Sequence, residues 1–92
     1  MPHSFGGLPG AEWIEAGLQD LASGRPTIAA LLVSIGAPRL SQAGLAIPRI
    51  LPDAEHGLYR ALALQGENDA HSQYNALIRR LVSFERSLEC VT

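Results

Sequence analysis

A chain of 92 residues with a formal net charge of −2, seven basic residues that are all Arg, and one cysteine excludes several classes at once. This is one domain's worth of chain. No intrachain disulfide can form, and a weakly acidic balance offers no general attraction to nucleic acid or to an anionic membrane surface.

An apolar fraction of 47% with only 17% charged residues supports a folded core rather than disorder. The absence of Lys points to the codon supply of a high-GC bacterial genome. The single thiol, Cys90, fits a reducing, cytoplasmic setting. MPHSFGGLPG has neither the basic start nor the apolar run of a signal peptide. No apolar run approaches the roughly 20 residues a membrane span needs. A soluble, cytoplasmic protein is expected.

Residues 1–8 read as a flexible N-terminal arm, and 9–92 as a single helical domain. Pro9 or Gly10 opens the first helix, because a missing N–H costs nothing at that position. Trp13, Ile14, Gly17, Leu18 and Leu21 form one apolar stripe at helical spacing. Gly24 and Pro26 end the helix. Thr27 then caps a second helix, TIAALLVSI, whose apolar residues run nearly all round and mark it as the central buried element. Its Val33 and Ile35 leave a buried strand as the rival reading. Gly36 is expected to stop it. Pro38 then starts a short helix, PRLSQA, closed by Gly44.

Pro48 and Pro52 push their preceding residues toward extended geometry, so 45–52 reads as a Pro-rich extended connector pinned by Leu45, Ile47, Ile50 and Leu51. Asp53 caps a helix that runs to about Gln65 and stops at Gly66. After the turn GEND, Asn68 or Asp69 caps the last helix, about 70–90. There Ala70, Tyr74, Leu77, Leu81, Phe84, Leu88 and Val91 alternate spacings of four and three, an a/d seam. Ile78 and Val82 widen it. The expected fold is all-α: a small bundle of four main helices plus one short helix.

Three constellations invite a functional reading. HGLYRAL and HSQYNAL both place His, Tyr and Leu on one helical face. In antiparallel helices joined by a short turn, each His falls in the first turn of its own helix, which puts His56 and His71 roughly 15 Å apart. That is too far for shared metal ligation, so both repeats read as packing units with Tyr and Leu facing the core. A small-ligand or metal site around His56 and His71 then requires a dimer interface. Second, residues 27–47 have the outline of a helix-turn-helix of a transcription regulator, but Arg39 is the one basic residue there, and phosphate contacts dominate nucleic-acid affinity. Nucleic acid is therefore not expected as a partner. Third, the seam of the last helix is wider than one short neighbour covers.

No GxSxG, Walker loop, GxGxxG or HExxH pattern occurs, so neither catalysis nor a cofactor is expected. The leading expectation is a small regulatory or protein-interaction module, a homodimer or a partner of another protein. Its surface is placed on the C-terminal helix at Leu81, Phe84, Leu88 and Val91, with Arg79, Arg80 and Arg86 available to an acidic partner.

Overall fold

The computed structural model describes residues 8–66 and 69–91, with Val91 described for its backbone alone. The expected arm over residues 1–7 lies outside the described residues. Leu8, its last residue, packs against the core. Four helices follow in order: α1 (Ala11–Ala22), α2 (Ile28–Gln42), α3 (Ala54–Gln65) and α4 (Ala70–Val91). Among the described residues there is no strand, so the strand reading of the second element is set aside.

α1 starts from Gly10, which holds a left-handed φ of 79° as N-cap. It buries Ile14, Gly17 and Leu21 and ends in a Schellman turn. Arg25 N–H donates to the Asp20 carbonyl at 2.8 Å and Gly24 N–H to that of Leu21 at 3.1 Å, with Gly24 at φ 77°. The short link to α2 is tied at side-chain level. Thr27 Oγ1 donates to Asp20 Oδ2 at 2.6 Å and accepts from Ala30 N–H at 3.1 Å. Arg25 closes on Asp20 Oδ1 at 2.8 Å. The Thr27 hydroxyl, then Arg25, hold the Asp20 carboxyl below the usual carboxylate range.

α2 is the central element. Ala29 through Ser34, Gly36, Ala37 and Leu40 are all buried, and α1, α3 and α4 each pack on it. Gly36 does not end this helix and no separate short helix exists: α2 runs unbroken through Pro38 to Gln42. A glycine stops a helix by turning left-handed, and Gly36 stays helical; Gly44, at φ 103°, is the residue that turns. Leu45 N–H then reaches the Leu40 carbonyl at 3.0 Å and Gly44 N–H that of Ser41 at 3.0 Å, a second Schellman turn. Pro38 is exposed, and it gives up the bond its missing N–H would make to the Ser34 carbonyl.

Residues 45–53 link α2 to α3 without helix or strand. Leu45 is buried, and Ile47 and Leu51 pack against the core. Ile50, expected to pin the segment, is 57% exposed instead. A polar tie fastens this stretch: Leu51 N–H donates to Ser34 Oγ at 3.0 Å, and Ser34 Oγ donates in turn to the Ala30 carbonyl at 2.9 Å. Asp53 precedes α3 at φ 51° with no side-chain cap bond. Its carbonyl accepts from Gly57 N–H at 3.0 Å. That is the ordinary first bond of the helix, so the expected cap by the Asp53 carboxylate is not made. Asp69 N–H meets the Gly66 carbonyl at 3.1 Å before α4; Asn68 lies outside the described residues.

The core gathers Ile14, Leu21, Leu32, Val33, Leu40, Leu58 and Phe84, with Leu77, Leu81 and Leu88 from α4. Two glycines let the helices close on α2. A Cβ at Gly17 of α1 would collide with the Ala29 carbonyl and Val33 Cγ2. At Gly36 it would meet Leu81 Cδ1 at 2.7 Å and Glu85 Oε2 at 2.8 Å, both on α4.

A helical Gly→Ala exchange ordinarily stabilises by up to about 1 kcal/mol. Gly17→Ala should reverse that sign and destabilise by about 1–3 kcal/mol, because the backbone carbonyl it strikes cannot turn aside. Urea unfolding followed by circular dichroism measures this.

Candidate functional site

The residues expected to form an interaction surface divide in two. Leu81 (3% exposed), Phe84 (0%) and Leu88 (4%) lie inside the core of the single chain. This corrects the expectation that they meet a second copy: α2 approaches α4 closely enough at Gly36 to cover the seam that α3 leaves open. The Val91 side chain lies outside the described residues. Arg79 and Arg86 are exposed on the opposite face of α4, and Arg80 is exposed on its flank.

The repeated His-x-x-Tyr-x-Ala-Leu also resolves into distinct roles. Leu62 and Leu77 enter the core as expected. The tyrosines do not. Tyr59 is 40% exposed and Tyr74 half-buried. On α3 the residues aimed inward are Leu58 and Leu62, and Tyr59 follows Leu58 by one position, about 100° round the helix. The rings of Tyr59 and Tyr74 meet across the α3–α4 seam at a centroid distance of 5.7 Å. His71 stands edge-on to Tyr59 at 6.4 Å. Burial and the nearby Glu55 carboxylate raise the Tyr74 phenol above its ordinary value. His56 turns away to Asp53, with Nδ1 3.4 Å from Oδ2. The repeat therefore brings the tyrosines together and leaves the histidines with different partners. Among the described residues no group of three or more His, Cys, Asp or Glu is arranged to hold a metal ion.

The segment 27–47 has no turn at Gly36, so it lacks the two helices of a helix-turn-helix. Its Arg39 is engaged inside the molecule. Arg39 Nε and a terminal nitrogen grip both Glu89 oxygens, at 2.7 and 2.9 Å, and its other terminal nitrogen lies 3.4 Å from Glu85 Oε1. Glu85 is buried. Burial pushes its carboxyl above the ordinary range against the pull of Arg39, and neighbouring Glu89 adds to the rise. Arg39, with Arg86 beyond it, holds Glu89 below that range. The sequence hid this pair: Glu85 sits directly beside Phe84 in the seam, and only its spacing from Leu81 and Leu88 hints that it faces inward.

A cleft of about 290 Å³ opens between α1 and α4. Trp13, Ile28, Leu62 and Leu77 wall it, one from each helix. Gln65, Gln73 and Arg80 supply its polar groups. A shallower depression lies over the 50–55 stretch beside Pro38 and Ile35. Cys90 is an exposed free thiol. Among the described residues no helix is long and apolar enough to cross a membrane. No family model, no curated protein and no solved structure matches this chain.

The Glu85 shift has a direct consequence for stability. With its native pKa raised, the fold holds the Glu85 proton more tightly than the unfolded chain does. Ionised Glu85 therefore weakens the fold, an effect that is absent below the ordinary carboxyl value, grows as pH rises from there to the raised native value, and is complete above it. Arg39 limits that weakening. Arg39→Gln should lower Tm near neutral pH, and its deficit against the wild type should shrink as pH falls through the range, raised above that of an ordinary Glu, in which buried Glu85 takes up its proton. Glu89, shifted the opposite way, loses its contribution only at lower pH. Thermal melts of both proteins across this range check the convergence; a deficit independent of pH contradicts it.

Proposed function

We propose that this chain is a small protein-interaction module without catalytic activity of its own, pairing with a second copy across the outer α3–α4 face. The observation that carries this reading is the ring cluster of Tyr59, Tyr74 and His71, with Tyr59 left 40% open to solvent. Aromatic side chains supply large contact area at low entropic cost and are enriched where proteins meet. Leu64, 89% exposed near the end of α3, is turned about 140° round the helix from Tyr59 and lies outside this ring face.

The C-terminal helix keeps a part in this reading through His71 and Tyr74, whereas its heptad seam belongs to the core. A patch that meets its own copy about a twofold axis gives the commonest closed assembly. A reducing, cytoplasmic setting suits the exposed thiol of Cys90. DNA binding draws no support from the continuous α2 or from an Arg39 already paired with two carboxylates.

Light scattering over a concentration series should show a dimer forming as the protein is concentrated. Tyr59→Ala should weaken it by about tenfold or more, since truncating a central aromatic contact commonly removes over 1 kcal/mol. The exposed position of Tyr59 should leave the melt nearly unchanged. A wild type that stays monomeric at about 1 mM contradicts self-pairing.

A further inference from the structure

The cleft between α1 and α4 is separate from the ring face, and its composition is specific. α1 packs along α2, and α4 packs on α2 and α3, but α1 and α4 do not pack on one another along their length. They are pinched together just before α1 begins. Gly10 sits so close that a Cβ there would lie 2.9 Å from the Arg80 carbonyl oxygen. Beyond that pinch stands the cleft, with the Trp13 indole on one side and Leu77 on the other.

Arg80 is the one charged residue among those that line it. Among the described residues no carboxylate lies within ion-pair reach of Arg80 and no hydrogen bond engages its guanidinium; the carboxylates in ion pairs there serve Arg25, Arg39 and His56. Gln65 and Gln73 stand in the same lining, and each side-chain amide carries two N–H donors. An apolar cavity with one uncompensated cation and neutral amide donors complements a molecule with an apolar body and a single anionic head. A planar guanidinium fork suits a carboxylate in particular, which it can hold by two parallel bonds.

We propose that this cleft binds a small organic acid: one carboxylate held by Arg80 and the glutamine amides, and an apolar body of about ten non-hydrogen atoms against Trp13, Leu62 and Leu77. The size follows from the volume, which lies at the small end of ligand cavities. A flat ring beside the indole gains an offset or edge contact as well as burial.

Trp13 is the only tryptophan in the chain, so its fluorescence reports on the cleft directly. The full chain is titrated with phenylacetate and hexanoate, and with phenylacetamide as the neutral counterpart. A saturable change of Trp13 emission is expected with both acids, weaker by about tenfold or more for the amide and for the acids in Arg80→Gln. Arg60→Gln, an exposed charge on α3, serves as the control and should bind as the wild type does. Melts matching the wild type establish that both variants fold. The amide resonances of Gln65 and Gln73 should shift with the same affinity. No saturable response up to about 10 mM, equal binding of acid and amide, or equal weakening by Arg60→Gln overturns the proposal. So does a response confined to an acidic peptide bearing a Phe side chain, which would make the cleft a peptide groove.

Discussion

Everything else in this fold depends on how closely two helices approach α2. Gly17 of α1 faces the Ala29 carbonyl and Val33, and Gly36 of α2 faces Leu81 and Glu85 of α4. At Gly17 a methyl group would strike backbone, and at Gly36 it would displace the Leu81 and Glu85 side chains. These contacts bring backbone and side chain together at distances that larger residues forbid, which is how a 92-residue chain with five aromatic residues closes a core built mainly from Leu and Ala. Phe84 and Ile14, almost fully enclosed, are the large pieces that the small ones leave space for.

The same closeness decides what α4 can offer to a partner. Its seam is spent on α2 and α3, so Leu81, Phe84 and Leu88 are interior residues. Its flanks remain available. One carries the Tyr59–Tyr74–His71 rings at the boundary with α3. The other borders the cleft with Trp13 and Arg80. Toward its C-terminal end the α2 side is fastened by Arg39 on Glu85 and Glu89. A buried carboxylate with a half-exposed partner is an expensive fastening. It sits beside Gly36, where a Cβ would lie 2.8 Å from Glu85 Oε2.

Much of this was legible in the residues. The apolar periodicity of α1 and α4, the Thr27 cap, the all-round apolar character of α2 and the Gly24 stop all follow from local rules, and the structure follows them. Local rules failed where a glycine or proline had a tertiary task. Gly36 and Pro38 read as punctuation, yet Gly36 is a packing contact and Pro38 an exposed interruption that the helix tolerates. The two tyrosines misled for a related reason. Sequence spacing places Tyr59 and Leu62 on one broad face, but only the tertiary contacts decide which edge of that face enters the core, and Leu58 takes the place. The cleft had no sequence signal at all. Its walls come from four helices, and Arg80 resembles any surface arginine until Trp13 is set beside it.

The central claim is that the heptad seam of α4 is the core of one chain and not the contact between two. Leu88→Asp tests it most directly, read by circular dichroism melting and light scattering together. An unpaired carboxylate at a position 4% exposed should remove several kcal/mol, a large share of the roughly 5–15 kcal/mol that holds a domain together. The account predicts loss of the cooperative melt at every protein concentration. A variant that keeps the wild-type melt and helix content while releasing monomers from a dimer would contradict it.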